Sequence, residues 1–142
     1  MTAIITDAFL PHPISKVWRA LTEPDLLANW LMPNDFKPTQ GHHFTFHTDP
    51  FPASGFDGRI YCTVLRIEHP RLLAISWRSS DLDTTVTWRL EAEGHGTRLF
   101  LTHDGFNESD PAQAATFKIL NGGWSGHLQR RLEQTLTGLE TP

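Results

Sequence analysis

The sequence is poor in cysteine and in clustered positive charge, and each shortage argues against a class of protein. A single cysteine, Cys62, stands among 142 residues, so the chain cannot close a disulfide on itself, which fits a reducing compartment. Lys and Arg total 12 against 16 Asp and Glu, and the densest basic spot is the pair Arg130-Arg131. Nucleic acid backbones are bound by clustered Lys and Arg, so we expect no nucleic acid partner.

Long apolar runs are also lacking. The longest of them, such as Leu72-Leu73-Ala74-Ile75, fall far short of the ~20 residues that cross a bilayer as a helix. The N-terminal residues have neither the basic start nor the apolar stretch of a signal peptide, and Asp7 interrupts them. We therefore expect a cytoplasmic protein with no membrane span.

Signatures of catalysis, cofactor binding and metal binding are missing as well. The sequence contains no G-x-S-x-G, phosphate-binding loop, dinucleotide fingerprint, C-x-x-C or H-E-x-x-H. His43 and His47 share a strand face, but at ~3.3 Å per residue they stand about 13 Å apart, too far to bind one ion. Cys62 lies in a β-rich run, where a cysteine is more often a small buried hydrophobe than a nucleophile. We expect no metal and no cofactor, and we assign no catalytic residue.

Large aromatic residues are abundant, with five Trp and nine Phe, and they follow clear periods. Alternation predicts a strand over 3–10 and an antiparallel meander from Phe44 to His103, with a bulge near Val64-Leu65. Two short helices are predicted between them. Apolar residues three or four apart predict a C-terminal helix of about 25 residues after Pro111. We expect one domain over residues 1–142.

A sheet with one apolar face and a helix with one apolar stripe must cover each other, so the fold class is α+β. Within the long helix, Gly122-Gly123 allows two interpretations. The pair could permit close packing of the helix against a neighbour, or it could be a flexible point at which the helix lifts to admit a ligand.

Several motifs spread over nearly the whole chain resemble one family. The run Val17-Trp18-Arg19-Ala20-Leu21-Thr22-Glu23-Pro24, followed by Trp30, is similar to that family's V-W-x-A-L-T-x-P…W pattern. The further motifs are Ile67-Glu68-His69-Pro70 before Leu73 and Trp77, His103-Asp104-Gly105-Phe106, and Gly123-Trp124 before Leu128, Leu132 and Leu136. These motifs resemble the family named after the activator of the heat-shock-protein-90 ATPase, within the helix-grip superfamily that includes START, Bet v 1 and polyketide-cyclase domains.

This resemblance implies a curved antiparallel sheet, two short helices and a long C-terminal helix, with a hydrophobic cavity between sheet and helix. It does not imply one activity, because a shared fold is a weak guide to function. Its members include ligand carriers, chaperone cofactors and cyclase-like enzymes.

The candidate site is the wall of that cavity. Any single aromatic residue is more often core, but so many wide, stiff rings are hard to pack without voids, which favours a cavity for the set. The predicted wall comprises Trp30, Phe46, Tyr61, Trp77, Trp88, His103, Phe117, Leu120 and Trp124. His103 interrupts an apolar stripe at a strand end. It is either a core-edge histidine bonded to backbone or, with Tyr61, a polar anchor for a ligand at the cavity mouth.

Three functions are therefore expected, in this order. The first is binding of a hydrophobic small molecule, such as a lipid, polyketide or aromatic metabolite. The second is a chaperone-activator-like contact with another protein. The third is a cyclase- or hydrolase-like activity depending on His103 or Cys62. The chain is either a monomer or a homodimer.

Overall fold

A computed structural model describes residues 2–50, 56–79 and 82–139 of the chain. Its strands are β1 Thr2–Leu10, β2 His43–His47, β3 Arg59–Glu68, β4 Leu72–Ser79, β5 Leu82–Glu93 and β6 Gly96–Phe106. Its helices are α1 Ile14–Thr22, α2 Pro24–Trp30, α3 Pro111–Gly122 and α4 Leu128–Gly138, and a π-helical turn, Gly123–His127, joins the last two.

The six strands form one curved antiparallel sheet in the order β1-β6-β5-β4-β3-β2. Strands β2 to β6 follow one another as the predicted meander, and β1 returns to pair with β6, where Ile4 lies opposite His103. The register of β3 against β4 shifts between Val64 and Arg66, which confirms the predicted bulge. The α+β helix-grip fold is confirmed.

The core lies between the inner face of the sheet and the helices. Strand β5 shows how it is built: Thr84, Val86 and Trp88 are buried, and the residues between them are more accessible. Because side chains alternate across a strand, this pattern places a continuous buried stripe on one face. Helix α1 covers part of that face with Val17 and Leu21, both fully buried.

The C-terminal helical segment is divided, where the sequence predicted one continuous helix. Asp110 caps α3 by accepting a hydrogen bond from the Ala112 amide at 3.0 Å. Helix α3 contains no buried residue, whereas α4 buries Leu132, Thr135 and Leu136.

Side chains also tie α4 to α2. The Asn29 amide donates to the Thr135 hydroxyl at 2.8 Å, and Arg131 donates to the Asn29 carbonyl at 2.9 Å. Only the second half of the helical segment is therefore anchored firmly to the core.

The glycine pair does not serve close packing, so the interpretation that favoured packing is wrong. A Cβ atom built at Gly122 would meet nothing within 4 Å. One built at Gly123 would meet only Leu128 Cδ1, at the ordinary contact distance of 3.9 Å. The flexible-point interpretation remains, since glycine loosens a helix wherever packing does not restrain it.

Alanine substitutions should distinguish a glycine that close packing requires, Gly96, from a glycine in open space, Gly122, by their opposite effects on stability. A Cβ at Gly96 would lie 2.5 Å from the Leu10 carbonyl oxygen and 2.6 Å from Phe9 Cζ. We expect Gly96→Ala to lower the free energy of unfolding in urea by about 1–3 kcal/mol, because backbone must shift. Gly122→Ala, with helical φ −65° and open space, should raise it by about 0.5–1 kcal/mol. Equal effects from both changes would contradict this assignment.

Candidate functional site

Large side chains from the sheet and helices meet in one group on the inner face. We call it the aromatic cluster: Trp30, Phe46, Trp77, Trp88, His103, Phe106, Phe117 and Trp124. Trp124 lies at its centre, with ring centroids 5.6 Å from Trp77 and 6.0 Å from Trp88, both edge to face. Trp30 extends the cluster through Trp88 at 6.5 Å, and Phe46 extends it through Trp77 at 5.6 Å.

A chain of hydrogen bonds crosses this cluster from helix to sheet. The indole Nε1–H of Trp124 donates to His103 Nδ1 at 3.0 Å. His103 Nε2 lies 2.8 Å from the Thr84 hydroxyl, which itself donates to the Trp77 carbonyl oxygen at 2.8 Å. Because the Thr84 proton is used on a carbonyl, the proton between Thr84 and His103 must belong to Nε2. The contacts at both ring nitrogens thus define the same neutral tautomer, protonated on Nε2.

His103 is fully buried, so its environment controls its charge. Burial lowers the pKa of His103 to about 3, and the side chains of Trp77, Phe106 and Trp124 that surround the ring carry no charge to oppose this. The imidazole is therefore neutral at pH 7. Both interpretations that placed it at the edge of the core are wrong about its position, because it lies inside and its partners are side chains.

The space between sheet and helix is much smaller than expected. Among the described residues, an apolar pocket beside Trp124 has a volume of about 30 Å³, room for about one water molecule. Small-molecule sites usually enclose about 300–1,000 Å³. Edge-to-face packing lets the rings fill the interior themselves, so the expectation of a ligand-sized opening is wrong for this arrangement.

Helix α3 covers one end of the cluster without being enclosed by it. Phe117 and Leu120 are half-buried, and the Phe117 ring meets Phe106 at 5.2 Å. On the same helix Ile119 is 74% exposed. Of the two predicted wall residues on α3, Phe117 contacts the cluster and Leu120 packs against the hydrophobic core, and neither is fully buried.

Tyr61 does not belong to the cluster, and its prediction as a wall residue is wrong. Its side chain is 47% exposed, and its hydroxyl donates to Asp57 at 2.9 Å. It stands between the buried residues Ile60 and Cys62, so alternation along β3 directs it to the outer face.

Two members of the site were missed from the sequence. Thr84 carried a signal, because it is a polar residue in an inward alternating stripe, as His103 is. Phe106 carried little: Gly105 has φ +103°, and the register shifts there between Thr2 and Ala3 of the paired strand. This irregularity turns Phe106 inward, three residues after His103 instead of two or four.

Other chemistry finds little support among the described residues. Burial raises the pKa of the Cys62 thiol far above its usual range, so the reactive thiolate is not available. Across 2–50, 56–79 and 82–139, no group of three His, Cys, Asp or Glu side chains could hold a metal ion. None of the helices in these ranges is both long enough and apolar enough to cross a membrane.

Residues 11–137 match the family described as Activator of Hsp90 ATPase homolog 1-like protein. The chain belongs to this family. No curated protein is significantly similar in sequence.

Solved structures share the fold of this chain. Protein MLL2253 from Mesorhizobium loti is 33% identical, with a TM-score of 0.86 over 99% of this chain and 100% of that one. Protein BH1534 from Bacillus halodurans is 30% identical, with a TM-score of 0.77 over 96% and 97% of the two chains. The Aha1 dimer from Colwellia psychrerythraea, at 17% identity, shares the fold with a TM-score of 0.78 over 99% and 100%.

The buried neutral imidazole predicts a specific pH dependence of stability. Above the ordinary histidine pKa of 6.5, His103 is neutral in both the folded and the unfolded chain. Between about pH 6.5 and 3 the unfolded chain binds a proton that the folded chain excludes. We therefore expect the free energy of unfolding to fall with decreasing pH, by up to about 1.4 kcal/mol per pH unit from this residue.

Urea titrations at several pH values measure this slope. His103→Gln is the matched control, because an amide can accept from Trp124 and donate to Thr84 but does not titrate in this range. Its slope should be shallower. A slope equal to that of the wild-type chain would show that His103 is not the group responsible.

Proposed function

We propose that this protein binds a hydrophobic small molecule between the inner face of the sheet and α3. The observation that carries the proposal is a difference in burial between α3, which we call the cover, and the aromatic residues of the sheet, which we call the floor. Helix α3 buries none of its residues, yet its Phe117 packs on the fully buried ring of Phe106, which in turn lies against the buried His103. A cover that contributes little burial can move at small cost, and its movement would uncover a large aromatic surface.

A hinge at the end of α3 supports this movement. Gly122 and Gly123 have open space around them, and the π-helical turn follows directly. π-helical turns occur frequently at functional sites. Trp124 lies in the π-helical turn between α3 and α4, and α4 stays anchored through Thr135 and Leu136. Withdrawal of Trp124 therefore requires the turn to move together with α3 and to give up the ring contacts with Trp77 and Trp88, while α4 remains in place.

The small pocket beside Trp124 is the proposed entry point for the ligand. It is open to the surface at the β1 edge, and it is almost entirely apolar. Its lining residues are Thr6, Asp7, Ala8, Trp30, Trp88, Leu99, Leu101, Trp124, Leu128, Gln129 and Leu132. Withdrawal of the Trp124 ring would join this pocket to the space above His103.

We place the activity in the cytoplasm, in keeping with the free thiol of Cys62.

A panel of lipids and aromatic metabolites tests the proposal by native mass spectrometry and thermal shift. We expect at least one class of compound to bind. In the free protein, amide exchange should be faster in α3 than in α4, and binding should slow the exchange in α3. Replacing both Gly122 and Gly123 with Ala should slow association several-fold, because the hinge stiffens. Gly138→Ala, which also adds a Cβ in open space on a helix, is the control. Failure of every class to bind would refute the proposal.

Contact with a chaperone is a second candidate, favoured by the family to which the chain belongs. A surface for it exists on the outer side of β1, where Ile5 is 77% and Phe9 is 45% exposed. Exposed apolar side chains on one strand face, as these two are, can form part of a contact site. The same surface could join two copies of this chain, and sedimentation velocity distinguishes monomer from homodimer.

An ATPase assay with a purified chaperone of the Hsp90 type separates the two candidates. If small-molecule binding is the function, we expect no change in the rate of ATP hydrolysis when the chain is added. A rise that Ile5→Ser abolishes would establish the second candidate instead. Thr6→Ser, a minor change on the same strand, serves as the control.

A further inference from the structure

The chemistry of the ligand can be inferred from what Trp124 would leave behind, and this step rests on the function proposed above. In the closed arrangement His103 Nδ1 accepts the indole N–H of Trp124 at 3.0 Å. Both residues are buried, with 0% and 3% of their surfaces exposed. If Trp124 withdraws and a ligand fills the space, Nδ1 keeps no donor unless the ligand supplies one. An unpaired acceptor in an apolar setting is strongly disfavoured.

The identity of Nδ1 as an acceptor does not depend on Trp124. Thr84 holds the proton of His103 on Nε2, since its own hydroxyl proton is directed at the Trp77 carbonyl oxygen. Both partners belong to the sheet, and neither lies on the moving helix. The opened floor therefore presents an acceptor, and a ligand carbonyl or ether at this position would meet lone pair against lone pair.

The residues around His103 also disfavour a charged ligand. The rings of Trp77 and Phe106 lie against His103, with centroids at 5.3 and 4.7 Å. A carboxylate needs a donor or a positive charge, and Nδ1 of the neutral ring offers neither. In the closed arrangement burial keeps the pKa of His103 near 3, and an apolar ligand that takes the place of Trp124 would bury the ring in the same way, so it would stay neutral at neutral pH.

The position of the Trp124 ring describes the shape of the ligand. Its indole lies edge to face against Trp77 and Trp88, at interplanar angles of 64° and 80°. A flat ring system in this position would keep both contacts, and such contacts favour aromatic over aliphatic occupants.

We infer that the ligand is a neutral, planar ring compound whose hydroxyl or ring N–H donates to His103 Nδ1, in the place that the Trp124 indole N–H occupies in the closed arrangement. Trp124 thus takes the place of the ligand in the closed arrangement. Thr84 is the positioning residue, because it keeps the His103 proton on Nε2 and so leaves Nδ1 as the acceptor.

Calorimetry at neutral pH with matched naphthalenes tests this inference. The probes are 2-naphthol, which can donate, 2-methoxynaphthalene, which cannot, and 2-naphthoate, which is charged. We expect 2-naphthol to bind the wild-type chain about 10-fold or more tightly than either other probe. Indole against 1-methylindole repeats the comparison with a ring N–H donor, which distinguishes the two donor classes.

Variants show whether His103 causes the preference. His103→Phe keeps an aromatic ring but removes the acceptor, so the ratio between 2-naphthol and 2-methoxynaphthalene should approach one. Thr84→Val frees the imidazole to carry its proton on Nδ1, so the ratio should shrink while binding persists. A role of Thr84 in folding alone would not change this ratio.

If His103→Phe does not fold, Trp124→Ala keeps the test decisive. This change opens a space the size of the indole above an intact His103, and indole should bind there about 10-fold more tightly than 1-methylindole. Equal binding of donor and non-donor probes, to this variant or to the wild-type chain, would overturn the inference and leave the proposed function standing. If no probe and no compound of the earlier panel binds the wild-type chain, the proposed function fails and the inference fails with it.

Discussion

The hydrogen bond from Trp124 to His103 is the constraint on which the arrangement of sheet and helix depends. An imidazole enclosed by rings must be neutral and paired at both nitrogens, since an unpaired polar atom there is strongly unfavourable. Thr84 satisfies one nitrogen from the sheet, and only the helical segment reaches the other. The closed arrangement of helix over sheet is therefore the one in which His103 is satisfied from within the chain.

The aromatic cluster makes closure favourable without making it uniform. Edge-to-face pairs such as Trp88 with Trp124 contribute about 0.5–1.5 kcal/mol beyond the area that they bury. Those contacts lie on the side of α4, whose Leu132 and Leu136 are fully enclosed. Helix α3 shares few of them. Burial is thus concentrated in one half of the helical segment, and the glycine pair and the π-helical turn lie at the division.

Much of this architecture could be predicted from the sequence, because alternation and helical spacing report directly which side chains face inward. Tyr61 was misassigned although the buried Ile60 and Cys62 on either side predict its outward direction. The π-helical turn was not predictable from spacing, since apolar residues three or four apart continue through it. The size of the cavity could not be predicted either. The volumes of the rings suggest that voids are hard to avoid. Whether edge-to-face packing closes those voids depends on the ring orientations, which only the folded structure provides.

Family membership explains the scaffold, whereas selectivity for the proposed ligand would come from individual buried groups, for a physical reason. An apolar wall distinguishes poorly between ring compounds of similar size, since one methylene changes binding by only about 1–3 kcal/mol. A buried hydrogen-bonding group distinguishes far more sharply, because a ligand that fails to pair with it leaves it unsatisfied. In this chain that group is His103, whose polarity Thr84 determines from the sheet. In the proposed complex, specificity would therefore reside in these two polar residues and not in the many aromatic ones, which enclose them.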